Sequence, residues 1–234
     1  MGRLKQFISD LFAMLFMGVG ISTTRTKQRK FDLRKLVAGD GWRLVNSSAS
    51  IDEYKGKQAA RFDARRGAGL AWVEGLRFSV GKIDLDVAAV RQSAGVAFHL
   101  QDEREFEAVC FHIGDEAQSE GESQSVVVRY FSTNPGWNAN HEERFDLTYS
   151  QSGEWFKARV SISKEVIAVF INGSNVPTLR LDNPGGGEVY GSVGLWIGAG
   201  SPALVADFRI HEVRSDIERQ LGRILGRRQR GLTF

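Results

Sequence analysis

Two of the four histidines, His99 and His112, fall in one short stretch, VAFHLQDEREFEAVCFHI. His99 and Gln101 alternate there with Phe98 and Leu100, and Ala108, Cys110 and His112 alternate with Val109 and Phe111. Arg129 follows in VVVRYF, and Asn134, Trp137 and Asn138 follow in the turn-rich STNPGWN. Imidazole, amide, guanidinium and indole together suit sugar recognition. Aromatic faces pack on the C–H surface of a pyranose, while polar groups bind its hydroxyls. His99, Gln101, His112, Arg129, Asn134, Trp137 and Asn138 are therefore the expected ligand-binding set.

Catalytic chemistry has a thinner basis. Asp84 and Asp86 stand two apart on one strand face, but no third carboxylate follows, and Ala88 and Ala89 come next. Glycoside hydrolysis commonly needs one carboxyl as acid and another as base or nucleophile at a set separation. A solvated strand face is the plainer reading of the aspartates. The enzymatic alternative uses His99 or His112 as base with Asp86 or Glu107 as acid. Strand parity puts Glu107 on the face of Val109, away from His99, and so counts against that pairing. Asp115, Glu116, Glu120 and Glu122 offer the oxygen ligands calcium prefers, without a regular spacing, so no metal or cofactor is expected. Phosphate-loop, dinucleotide and His-Glu-x-x-His patterns are absent. Trp72 reads as a core or edge aromatic rather than as a sugar platform.

The elements that must position these groups are strands. Val96, Phe98 and Leu100 form one apolar period-2 set, and Val109, Phe111 and Ile113 form the next, about the charged turn Asp102–Glu105. Folding about that turn sets His99 roughly opposite Ala108, and Ala97 opposite Cys110. The small residues Gly95, Ala97 and Ala108 beside His99 would leave space for a ligand. Later stretches alternate in the same way, for example Phe156, Ala158, Val160 and Ile162, and Asn172-Gly173 is a strong turn signal. The expected fold is an all-β antiparallel jelly-roll sandwich over residues 40–212. Residues 23–39 read as a basic linker. Residues 1–22 read as a signal peptide, anchor or amphipathic helix, and 213–234 as a basic amphipathic helix, so that helical tails flank the sandwich.

Length and charge bound the function. At 234 residues the chain suffices for one large all-β domain with tails, and its single cysteine, Cys110, rules out an intrachain disulfide. The charge is +3 overall, with +6 in residues 1–36 and +3 in 212–234, which leaves −6 for the middle. An acidic sandwich is a poor nucleic-acid binder, whereas basic tails suit an anionic membrane surface. Export or membrane attachment follows as the expected location, with a cytoplasmic protein as the alternative.

The ordered motifs GKIDLDV, GVAFHLQDEREFEA, VVVRYFSTNPGW, GEWFKARVSI, VFING and GSVGLWIGAGSPALVADFRI resemble the bacterial concanavalin A-like lectin/glucanase jelly rolls. That group includes laminin G-like domains and, more loosely, a keto-glycoside hydrolase family. The resemblance spans about residues 40–212. It breaks at His112 and Arg129, where such chains carry arginine and glutamine, and the glucanase Glu-x-Asp-x-x-Glu run is missing. It implies a non-catalytic carbohydrate-binding sandwich of the cell envelope. The alternatives are a glycoside hydrolase-like enzyme, or a structural or protein-interaction sandwich with no small ligand.

Overall fold

The computed structural model describes residues 25–64, 67–89, 93–113, 124–133, 140–147, 154–182, 189–200 and 202–214. Lys27–Glu212 form one compact unit; the other, Met1–Thr26 with Val213–Phe234, lies almost wholly outside the described residues. The expected helical tails therefore fall outside them too.

Two antiparallel sheets make the sandwich. β1 is Arg25–Lys30 and helix α1 is Leu33–Ala38; the strands β2 (Trp42–Val45), β3 (Ser47–Tyr54), β4 (Lys57–Ala64) and β5 (Gly69–Val73) follow. The middle strands are β6 (Gly81–Ala89), β7 (Ser93–Leu100), β8 (Glu107–Ile113), β9 (Gln124–Ser132) and β10 (Asn140–Leu147). The chain closes with β11 (Phe156–Ile162), β12 (Val166–Ile171), β13 (Leu179–Asp182), β14 (Ser192–Ile197) and β15 (Ala203–Arg214). The eight-stranded sheet runs β13-β12-β11-β6-β15-β4-β3, with β1 also paired to β15. The seven-stranded sheet runs β10-β9-β8-β7-β14-β5-β2. The expected jelly-roll sandwich is what forms.

Alternation decides which side chains fill the space between the sheets. From the eight-stranded sheet come Ile83, Leu85 and Val87 with Phe156, Ala158 and Val160; from the other come Val96, Phe98, Val109, Phe111, Val128 and Tyr130. All twelve are at most 3% exposed, so this layer is the dry core that drives folding.

Residues 25–39, within the stretch read as a linker, are built into the sandwich. β1 pairs with β15. The Asp32 carboxylate caps α1 by accepting the Arg34 backbone N–H at 3.0 Å. Gly39, at φ 71, ends the helix with its N–H on the Leu36 carbonyl. Leu33 and Leu36 then join the core, and Phe31 and Trp42 meet Phe208, with ring centroids 5.4 and 5.9 Å from it. At the other end, β15 carries the strand as far as Arg214, into the stretch expected to be helix.

Candidate functional site

The β7–β8 hairpin keeps the expected faces with a register displaced by two residues. Ala97 faces Ala108, Gly95 faces Cys110, and Phe98 faces Glu107. The turn closes with the Gln101 N–H on the Glu105 carbonyl, one pair beyond the strand ends.

His99 departs from strict alternation. Its φ of +50° puts it in the left-handed region, which turns the side chain from the Ala97 face into the core. A register irregularity in the β7–β14 pairing brackets the same residue, between Ser192 opposite Leu100 and Gly194 opposite Ala97. The imidazole lies between Phe78 and Phe98, at ring separations of 6.3 and 5.1 Å, and is 8% exposed. His99 thus leaves the outer face expected to bind the ligand. It joins Glu107, which parity alone had set apart from it.

The resulting network is buried. His99 Nδ1 meets Glu107 Oε1 at 2.5 Å, His99 Nε2 meets the Ser79 carbonyl oxygen at 2.7 Å, and the Tyr130 hydroxyl donates to Glu107 Oε2 at 2.7 Å. A carbonyl only accepts, so Nε2 carries a proton. One further proton must then lie between Nδ1 and Oε1, shared by the pair. Burial, then the adjacent Glu107 charge and hydrogen bond, push the Tyr130 hydroxyl pKa far above its ordinary value. Glu107 and Tyr130 are 1% exposed, so no substrate reaches this triad as it stands. Asp86, the other candidate acid, is on the opposite sheet with its carboxylate on Lys57 Nζ at 2.5 Å. Of the pairings the sequence offered, His99 with Glu107 is assembled, but it is buried, and Asp86 stands on the other sheet from both histidines.

The outer face of the seven-stranded sheet holds the remaining groups. Its floor is made of small residues: Gly194, Ala97 and Ala108 in one cross-strand row, Gly95 and Cys110 in the next. Trp196 reaches over that floor from β14, and Phe131 from β9, until their rings meet edge to face at 5.4 Å. Phe106 meets Phe131 at 6.0 Å. Ala97 and Ala108 are fully buried beneath, while Trp196 and Phe131 are half-buried. The small residues do not leave open space; they are the bed on which two large aromatics recline. Trp72 continues the row beside Gly194, 8% exposed, with the Arg43 guanidinium 5.5 Å above its ring.

Arg129 is exposed on this face, directly across from Cys110. His112 is half-buried on it, with Nδ1 3.1 Å from Ser93 Oγ. Gln101 sits beyond the end of β7, its amide donating to the Tyr190 carbonyl at 2.5 Å. Asn134, Trp137 and Asn138, and the acidic stretch 114–123, lie outside the described residues. Of the expected set, then, His112 and Arg129 share the outer face, Gln101 stands off the strand end, and His99 is in the core. Trp196 and Phe131 were missed. Both sit at outward positions of strands in the sequence, GLWIG and VRYFS, and a search for outward-facing aromatics on either side of the small-residue strands would have found them.

The outer face of the eight-stranded sheet carries Asp84 and Asp86, and both are committed. Arg159 grips Asp84 with two nitrogens, at 2.6 and 3.1 Å, and His211 Nε2 adds a third contact at 3.0 Å. Among the described residues no group of three or more His, Cys, Asp or Glu could hold a metal ion. No helix among them is long and apolar enough to cross a membrane.

The sequence matches no family model and no curated protein sequence. Solved structures match in shape. The carbohydrate-binding module CBM66 from Bacillus subtilis superposes with a TM-score of 0.50 at 12% identity, covering 73% of this chain and 95% of its own. A Bacillus licheniformis β-glucanase gives 0.50 at 10% identity, over 82% of this chain and 100% of that one. An unliganded Crh5 transglycosylase gives 0.51 at 12%, over 79% and 84%. The fold is that of the concanavalin A-like jelly rolls.

Proposed function

We propose that this protein binds a glycan without cleaving it, on the outer face of the seven-stranded sheet. The observation that carries the reading is the half-buried aromatic pair Trp196–Phe131, laid over a floor too small to demand such rings for packing. An upturned aromatic surface beside the Arg129 guanidinium and the His112 imidazole is the chemistry a pyranose needs. We assign Asn134, Trp137 and Asn138 to the same site, because they follow Phe131 directly along the chain, and Gln101 to its rim. Shape neighbours named for carbohydrate binding, glucan cleavage and transglycosylation support a sugar ligand.

The binding reading rests on the groups present: outward positions of β2, β5, β7, β8, β9 and β14 with described side chains offer arginine, histidine and aromatics, which hold a sugar's hydroxyls and its C–H face. We further assign the protein to the exported or membrane-associated class through residues 1–22, which fractionation of the tagged full chain tests.

A glycan array followed by calorimetric titration tests the function. Trp196→Ala should weaken binding of the identified glycan by about 1–3 kcal/mol, the value of a lost stacking surface. Arg129→Gln, at an exposed position, should weaken it as well. An array on which nothing binds leaves the interaction-sandwich reading in its place, and release of reducing sugar from polysaccharides leaves the enzyme.

A further inference from the structure

The opposite face of the sandwich carries a cleft of about 430 Å³ over β6, β11 and β15, next to the turn after β12. It is independent of the aromatic shelf, on another sheet, and its chemistry differs. Its donors and acceptors can be counted group by group.

Three carboxylates line it, and each is already neutralised. Asp84 has both Arg159 nitrogens and His211. Asp86 has Lys57. Asp207 has Lys30 Nζ at 2.9 Å and Arg209 at 3.1 Å. The cations are not used up in return. Lys82 and Lys157 line the cleft, are exposed, and have no ion-pair partner among the described residues. Arg209 gives one terminal nitrogen to Asp207. What the cleft has to spare is therefore positive charge and N–H donors, the complement of an anion.

The layout fits a chain rather than a point ion. Lys157 is in register with Asp86, Arg159 with Asp84, and Ser161 with Lys82, so the two lysines flank the Arg159–Asp84 pair from opposite sides. Two strand positions per row separate them by about 13 Å along the strands. Half-buried Phe170, in register with Arg159, gives one apolar wall, and the exposed Asn175 amide lies on the same cleft. A lone sulfate would use one end of this arrangement and neither the ring nor the second lysine.

We propose that this cleft is a second binding site, for an anionic oligosaccharide whose carboxylate or sulfate groups pair with Lys82 and Lys157 while a sugar ring lies against Phe170.

Calorimetric titration of the full chain with trigalacturonate and with a chondroitin sulfate tetrasaccharide tests it, with cellotetraose as the neutral control and sodium sulfate as the simple anion. At least one acidic oligosaccharide should bind, and binding should weaken at least about threefold between 0.05 and 0.3 M NaCl as the charges are screened. The double substitution Lys82→Gln with Lys157→Gln, at exposed positions, should weaken it at least about tenfold with the melting temperature unchanged, on the scale of two lost ion pairs to a partly desolvated ligand. Phe170→Ala should weaken it further, and Trp196→Ala should leave it alone. Failure of both acidic probes, normal binding by the double variant, or equal affinity for inorganic sulfate would overturn the proposal. Loss of binding in Trp196→Ala would overturn it as well, by moving the acidic sugar to the aromatic shelf.

Discussion

Replacing Glu107 separates the two ways the buried triad could be held together. In Glu107→Ala the Tyr130 hydroxyl loses its acceptor and His99 Nδ1 its partner, both in a region where Glu107 and Tyr130 are 1% exposed. Leaving a buried imidazole nitrogen and a buried hydroxyl without their partner costs about 1–3 kcal/mol each. At about 2–4 °C per kcal/mol for a domain of this size, the melting temperature should fall by roughly 10 °C. Glu107→Gln is a different case. Its amide oxygen still accepts from Tyr130, and its N–H can donate to Nδ1 of a neutral imidazole whose Nε2–H stays on Ser79. One amide hydrogen is left unpartnered, which sets the cost at about 1–2 kcal/mol. Urea unfolding of the three proteins, with m-values compared to keep the unfolded states equivalent, reads the difference. A glutamine variant as unstable as the alanine variant would refute the shared-proton arrangement, because the pair would then depend on charge that glutamine cannot supply. An alanine variant as stable as wild type would refute the network itself.

Further consequences follow from the same geometry. His99→Ala should lower the unfolding midpoint by about 3–5 kcal/mol, because it strands the buried Glu107 carboxyl; glycan affinity of the folded fraction, read by calorimetry, should be retained. Tyr130 has its pKa raised on folding, so its contribution is present below about pH 10 and is lost as the unfolded chain's tyrosine ionises above that pH. Tyr130→Phe should therefore shallow the alkaline decline in stability by up to about 1.4 kcal/mol per pH unit, measured by urea titration between pH 9 and 11. A Cβ on Gly194 would sit 2.2 Å from the Ala71 carbonyl oxygen and 2.6 Å from Trp72 Cα, so Gly194→Ala must move backbone. It should cost at least about 1–3 kcal/mol and disturb the aromatic shelf above it, seen as a lower melting temperature together with weaker glycan binding.

The sandwich was legible because its core strands alternate cleanly; Val96–Phe98 and Val109–Phe111 lie on the face that period 2 assigns them. Register slipped by two because the charged turn spends more residues than its polar run reveals, with Gln101 and Glu105 pairing outside the strands. His99 was misplaced for a backbone reason. A left-handed residue turns its side chain to the other face, and histidine, unlike glycine, does not advertise that conformation. The aromatic shelf was hidden by topology: Trp196 reaches the floor from β14, about a hundred residues away in sequence, and no local pattern foretells that strand order. β1 and α1 were passed over because RTKQRK is a charged strand without alternation, and a helix of six residues is too short to show a period.

A crystal structure with the array-identified neutral glycan bound tests the central claim most directly. The expected density is a sugar ring stacked within about 4 Å of the upper face of Trp196 or Phe131, with a hydroxyl on Arg129 or His112. A glycan bound anywhere else, with the Trp196–Phe131 pair untouched, would contradict it.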